Sequence, residues 1–226
     1  MFLEIFTVWL GLFSIGFTFL PMFMVLDWRK RGSADGFSSV NFVLPMLVQS
    51  FWLRHGFMTN DQTNIIINSV NLVFFAFYVS AFAWYQPKRK YLIGQILAAL
   101  LAIYVSFAYV DTHDADKIND AMGSMAAGAQ IFSLVGGIYE IKRAISMGTT
   151  EYIPAGFQFA IFTLIAQWLL FGILHGNQFI AISNAAGLLV NIATLALYFF
   201  YPPLTWTVPI FNIPPQKLQK DEKKKQ

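Results

Sequence analysis

Apolar residues run through this chain in seven blocks separated by short polar joints. The blocks cover roughly 5–26, 38–58, 64–85, 91–110, 121–141, 153–175 and 179–201, and a block of about 20 residues matches the ~30 Å hydrocarbon core of a bilayer. Each block is predicted to be a helix, because lipid offers no partner for an unpaired backbone N–H or C=O. The joints leave no room for a soluble domain. After Pro202-Pro203 the pattern turns polar, and Lys217 to Gln226 reads as a disordered basic tail.

The pattern also repeats. Trp52-Leu53-Arg54-His55-Gly56 is followed twelve residues after its glycine by Asn68, and Trp168-Leu169-Leu170-Phe171-Gly172 is followed at the same distance by Asn184. The offset of 116 residues carries Gly32-Ser33-Ala34-Asp35 onto Gly148-Thr149-Thr150-Glu151 as well. One register that keeps Gly, Ser/Thr, acid, Trp, Gly and Asn marks a duplicated unit, with function expected where the copies face each other.

Composition agrees with the membrane assignment. Of 226 residues, 57% are hydrophobic and 12% charged, about half the charged fraction of a soluble domain. With no cysteine, disulfides and thiolate metal sites are excluded. Met1-Phe2-Leu3-Glu4 lacks the basic region of a signal peptide, so the first block is expected to stay as a span.

The distribution of charge sets an orientation. Arg29, Lys30 and Arg31 follow span 1; Lys88, Arg89 and Lys90 follow span 3; Lys142 and Arg143 follow span 5; Lys217, Lys220, Lys223, Lys224 and Lys225 follow span 7. Alternating spans put all of these on one side, leaving Arg54, Lys117 and an acidic loop (Asp111, Asp114, Asp116, Asp120) on the other. By the positive-inside rule the N-terminus is extracellular or lumenal and the C-terminus cytosolic.

The repeat falls on spans 1–3 and 5–7, with span 4 between. One intervening helix restores the orientation of the second copy, so the units are parallel. The expected fold is an all-α integral membrane protein of seven transmembrane helices, two parallel three-helix bundles joined by a linker helix (3-1-3). The segments are a first repeat at 1–86, the linker helix and outer loop at 87–120, a second repeat at 121–203 and a cytosolic basic tail at 204–226.

In this arrangement, in the basic-then-Gly-Ser/Thr-x-acid loops, in Trp-x-x-ring-Gly and in the following Asn, the chain resembles the SWEET (MtN3/saliva) sugar transporters up to about Tyr201. Asn184-Ala185-Ala186-Gly187 keeps the family's Asn-x-x-Gly, whereas Asn68-Ser69-Val70-Asn71 has lost the glycine. The resemblance implies facilitated, bidirectional movement of mono- or disaccharides, without ion coupling, ATP or cofactor. It implies a substrate site lined by Asn68, Asn184, Trp52 and Trp168. It places hinge prolines at Pro21 and Pro154, with Asn41 and Gly137 where the family has two more and Pro45 about a turn deeper. Its outer-gate positions are His55 and Asn177 here. Its members often form homo-oligomers, in plasma or Golgi-type membranes.

The residue chemistry suits such a ligand. An Asn amide donates two hydrogen bonds and accepts on its oxygen, so it can bridge two hydroxyls. A Trp face packs on the C–H face of a sugar such as glucose while its N–H finds a polar partner. Asn71 and Asn191, unmatched between copies, are expected to be interhelical links. Trp9, Trp28, Trp84 and Trp206 are expected as interfacial anchors. The Gly-Ser-Ala-Asp and Gly-Thr-Thr-Glu loops look like helix starts for spans 2 and 6. Charges stand at span ends, with Arg54 free to snorkel, which argues against symport. His55 is the candidate pH-responsive group.

Two other readings share the architecture: an amino-acid transporter of the PQ-loop type, and a non-transporting membrane adaptor. The one Pro-Gln pair, Pro215-Gln216, lies in the tail rather than at a span end. No Ser-His-acid set, metal cluster or phosphate loop sits at membrane depth, so an enzyme is not expected, and neither is a nucleic-acid partner.

Overall fold

A computed structural model describes residues 2–217. Residues 218–226, with Lys220, Lys223, Lys224 and Lys225 of the predicted tail, lie outside the described residues. Described secondary structure is helical apart from one isolated antiparallel bridge, Val208 with Ile213. The chain divides into two compact units, Met1–Ser133 and Leu134–Gln226.

The first unit holds α1 (Phe2–Thr18), α2 (Met22–Arg31), α3 (Val40–Thr59), α4 (Gln62–Tyr85), α5 (Lys90–Val110) and α6 (Ile118–Ser133). The second holds α7 (Val135–Met147), α8 (Ala155–Leu174) and α9 (Gln178–Phe200). Among the described residues six stretches are long and apolar enough to cross a membrane: Phe2–Arg31, Gln62–Tyr85, Lys90–Val110, Ile118–Met147, Ala155–Leu174 and Gln178–Phe200. The remaining predicted span is α3, a 20-residue helix made less apolar by Asn41, Gln49, Arg54 and His55.

Two of the predicted spans are broken helices. Span 1 breaks at Phe19–Pro21, where three-residue bonds take over: Phe19 N to Gly16 O at 3.2 Å, Leu20 N to Phe17 O at 3.1 Å and Met22 N to Phe19 O at 2.9 Å. Pro21 has no N–H to continue the ladder. Span 5 breaks at Leu134, just before Gly136-Gly137, and its ladder resumes with Ile138 N to Leu134 O at 3.0 Å. Gly137 lies at the repeat offset from Pro21, so both copies interrupt their first helix at matching places through different residues. Pro154 stands at the N-cap of α8 in extended backbone. Pro45, by contrast, lies inside an unbroken α3, with Asn41 in its first turn.

In the first unit α3 packs against α4, α5 and α6, while α4 also meets α1 and α2. The core at its basic end is aromatic. Trp28 is fully buried with Phe37, Phe42 and Phe82 edge-on at 5.5–5.6 Å, a favoured ring geometry. Trp28 is therefore a core residue and not the expected interfacial anchor; the turn after α2 folds its ring inward. Trp9 and Trp84 do face outward. Arg54, near the outer end of α3, ion-pairs with the exposed Asp111 and lies over the Phe107 ring at 4.3 Å, tying α3 to α5.

In the second unit α9 packs against α7 and α8. Asn191 links α9 to α8 through Gln158 Oε1 at 2.8 Å, as Asn71 links α4 to α1 by accepting from the Thr18 hydroxyl. The segment after α9 turns back on its own unit. Val208 is fully buried there, and the Trp206 N–H donates to the Glu151 carbonyl at 3.3 Å, so this Trp too is packed rather than merely anchored.

The two Gly-x-x-acid loops are not helix starts. Asp35 N donates to Ser33 Oγ at 3.0 Å and Glu151 N to Thr149 Oγ1 at 3.1 Å. Both are compact turns opened by a left-handed glycine, Gly32 (φ 67°) or Gly148 (φ 64°). Each seats on the far end of its copy's third helix, Ala34 N on Tyr85 O at 3.1 Å and Thr150 N on Tyr201 O at 2.9 Å. The helices themselves begin later, at Val40 and Ala155.

Candidate functional site

Each unit presents the same construction of tryptophan, ring, glycine, tight turn and asparagine. In the first unit α3 supplies Trp52, His55 and Gly56. Gly56 lets the two helices approach closely: a Cβ there would lie 3.3 Å from the Asn64 Cβ and the Ile65 N of α4. The chain reverses at Asn60, left-handed at φ 54°, with Asp61 N donating to Gly56 O at 3.0 Å. Asp61 then caps α4 by accepting from Asn64 N at 3.0 Å, satisfying one of the free donors at a helix start. This fixes Asn68 in the second turn, 6% exposed.

The side chains of this wall are held in two sets, Trp52 with Gln130 and His55, and Asn68 with Asn64. The Trp52 indole N–H donates to Gln130 Oε1 of α6 at 2.7 Å. His55, 2% exposed, stands edge-on to Trp52 at 5.7 Å. Asn68 Nδ2 donates to the Asn64 carbonyl at 2.8 Å and also to Asn64 Oδ1.

The second unit repeats the ring pair, the glycine crossing, the turn, the cap and the asparagine. Trp168 and Phe171 stand edge-on at 5.4 Å. Gly172 meets α9 so closely that a Cβ would lie 2.7 Å from Ala181 N. Gly176 takes the left-handed turn at φ 66°, and Asn177 N donates to Gly172 O at 2.8 Å. Asn177 is the N-cap of α9, accepting from Ile180 N at 3.2 Å; it matches Asp61 of the first unit. Asn184, 6% exposed, donates from Nδ2 to Ile180 O at 2.8 Å, the counterpart of the Asn68 bond.

The family profile described as sugar efflux transporter for intercellular exchange matches residues 4–90 and 120–205, one segment per repeat. The chain belongs to the SWEET (MtN3/saliva) family of sugar transporters. Among similar SWEET proteins, the sugar transporter SWEET1 of Drosophila pseudoobscura pseudoobscura is 25% identical over 182 residues, 79% of this chain and 80% of that one. The bidirectional sugar transporter SWEET12 of rice (Oryza sativa subsp. japonica) is 24% identical over 177 residues, 76% of this chain and 59% of that one. A solved structure of a eukaryotic SWEET transporter has the same fold, with a TM-score of 0.77 at 22% identity over 89% of this chain and 99% of that one.

For this SWEET, matched positions between copies pointed to Trp52, Asn68, Trp168 and Asn184 but passed over Gln130 and Asn64. Asn64 has Ile180 at its matching position, so the duplication gave no signal. Its spacing of four from Asn68, one helical turn, was the available clue.

Proposed function

We propose that this SWEET is a facilitative, bidirectional uniporter that moves mono- or disaccharides with low affinity by alternating access. The substrate is a small neutral sugar such as glucose, held by Trp52, Asn68, Trp168 and Asn184. The observation that carries the reading is the repeated amide. Asn68 and Asn184 are both buried, both donate to the carbonyl four residues back, and both follow a Trp-bearing helix by the same glycine turn. An Asn amide carries both donors and an acceptor suited to sugar hydroxyls, and an edge-braced indole has a flat face suited to C–H groups.

Uncoupled transport is supported by where the charges fall. Glu4, Asp27, Glu140 and Glu151 stand near span ends, and Arg54 is neutralised by Asp111. Ionisable side chains at membrane depth are what proton relays are built from. Movement is assigned to the interrupted helices at Pro21 and Gly137 and to the hinge at Pro154, with His55 and Asn177 at the outer gate. The three-helix repeats are 1–86 and 121–203, parallel and joined by 87–120. The N-terminus is extracellular or lumenal and the tail cytosolic, in the plasma membrane or a Golgi-type membrane, and the protein can assemble as a homo-oligomer.

Purified protein in liposomes tests this. Saturable uptake and efflux of a hexose is expected, unaffected by a proton uncoupler, with flux lost in Asn68→Ala and Asn184→Ala at normal insertion. Full flux in both variants defeats the site assignment, and uncoupler-sensitive accumulation defeats uniport.

A further inference from the structure

We propose that Asn64 is a second substrate-reading amide, which with Asn68 recognises two adjacent hydroxyls of the sugar. The inference rests on the assignment of Asn68 to the sugar site.

Asn68 Nδ2 donates to the Asn64 backbone carbonyl, which can only accept, so the orientation of the Asn68 amide is fixed. The same NH2 group then faces the Asn64 side chain, which must present its oxygen, Oδ1. The Asn64 NH2 is left pointing elsewhere. It is shut away from solvent, on a residue 2% exposed, and no described residue accepts from it. A buried unpaired donor costs about 1–3 kcal/mol, and a native structure keeps one only for a reason.

That reason is absent from the second copy. Ile180 occupies the matching place, against Gly172 as Asn64 lies against Gly56. Packing at this helix crossing is thus compatible with an aliphatic side chain, and the crossing alone does not call for an amide. Asn68 keeps Oδ1 as an acceptor and Asn64 keeps NH2 as a donor, one turn apart on one face of α4. Neighbouring sugar hydroxyls need such a pair: one donates to Asn68 Oδ1 while the next accepts from Asn64 Nδ2. In the present conformation the donor is closed off. A carrier that alternates exposes its site in some states only, and the sugar completes the bond when the wall opens to it.

Half-saturation for glucose and each monodeoxyglucose, measured by liposome counterflow, tests the pair. Asn64→Ile carries the residue the second copy already accommodates; Asn64→Ala, smaller than the native side chain, has no steric demand. Glucose half-saturation is expected to rise about tenfold in either variant, the size of one buried hydrogen bond. The analogue lacking the hydroxyl that Asn64 reads is expected to bind wild type and variant alike, while the other analogues keep their wild-type penalties. A purely structural amide would shift thermal stability and leave every half-saturation unchanged, and that result overturns the proposal. If Asn68→Ala keeps full flux, the sugar-site assignment itself has failed. If Asn68→Ala is inactive while the Asn64 variants match wild type throughout, the failure belongs to the amide pair alone.

Discussion

His55 holds the same relation to Trp52 that Phe171 holds to Trp168: ring planes 73° apart at 5.7 Å in one unit, 74° apart at 5.4 Å in the other. A polar ring has been placed, nearly fully buried, in a slot that the other copy fills with a hydrocarbon ring. His55→Phe is expected to fold, with Trp52 still braced as Trp168 is by Phe171 and hexose flux retained at neutral pH. Thermal unfolding in detergent and liposome flux check both halves; a variant that folds but carries no sugar would make the imidazole itself part of transport.

The two motif glycines are expected to differ in tolerance. A Cβ on Gly172 would meet the Ala181 backbone N at 2.7 Å and Ala181 Cα at 3.1 Å, atoms that cannot move without displacing α9. A Cβ on Gly56 would find its nearest neighbours at 3.2–3.3 Å, two of them on side chains. Gly172→Ala should cost about 3 kcal/mol, the upper part of the usual overpacking range, and Gly56→Ala about 1 kcal/mol. Comparing the two midpoints in detergent tests this; equal losses would mean the crossings have equal slack.

These particulars show what could be read in advance. The all-helical membrane character and the duplication were legible because hydropathy and a fixed register are properties of sequence alone. The break in span 5 was not: Gly136-Gly137 has no fixed φ, and only packing against Val190 of α9 shows the helices in close approach there. Nor was Trp28, whose tryptophan near a span end reads as an anchor until three phenylalanines close around it. The acidic loop residues looked like first-turn acids, yet Glu151 bonds a segment over fifty residues away. Contacts of that separation leave no periodicity to detect.

That contact has a pH dependence of definite sign. The Glu151 carboxylate accepts from the Thr205 hydroxyl and from the backbone N–H groups of Leu204 and Thr205. The Thr205 hydroxyl bond, foremost, holds its carboxyl below the ordinary range against a smaller opposing effect of desolvation; the backbone bonds and Lys217 act in the same direction. A carboxyl with a lowered folded pKa contributes stability that is present above its ordinary pKa and lost as pH falls through the lowered value. The segment after α9 is thus expected to stay docked at neutral pH and to loosen on strong acidification. Glu151→Gln should expose Leu204 and Thr205 to amide hydrogen exchange already at neutral pH, and remove the acid-dependent step. Unchanged protection in the variant would show that Val208 and Trp206 hold the segment without the carboxylate.

The last test concerns the broken helix of span 5. The family resemblance places a proline where this chain has Gly137, and the first copy does carry Pro21 at the matching point. Proline at the first turn of α7 suits a helix start, since no ladder bond to the preceding turn is required there. The obstacle is lateral: any Cβ at position 137 would lie 3.0 Å from Val190 Cγ1. Gly137→Pro alone is accordingly expected to lower stability by about 1–3 kcal/mol through overpacking. Gly137→Pro combined with Val190→Ala removes the opposing methyl groups and should recover most of that loss, a coupling that a double-mutant cycle of thermal midpoints measures. Flux through the double variant is expected to persist, because the helix is already interrupted here and proline only restricts φ at the interruption. Additive losses in the cycle would place the conflict elsewhere than Val190. A stable double variant without flux would show that this hinge works through the freedom of glycine.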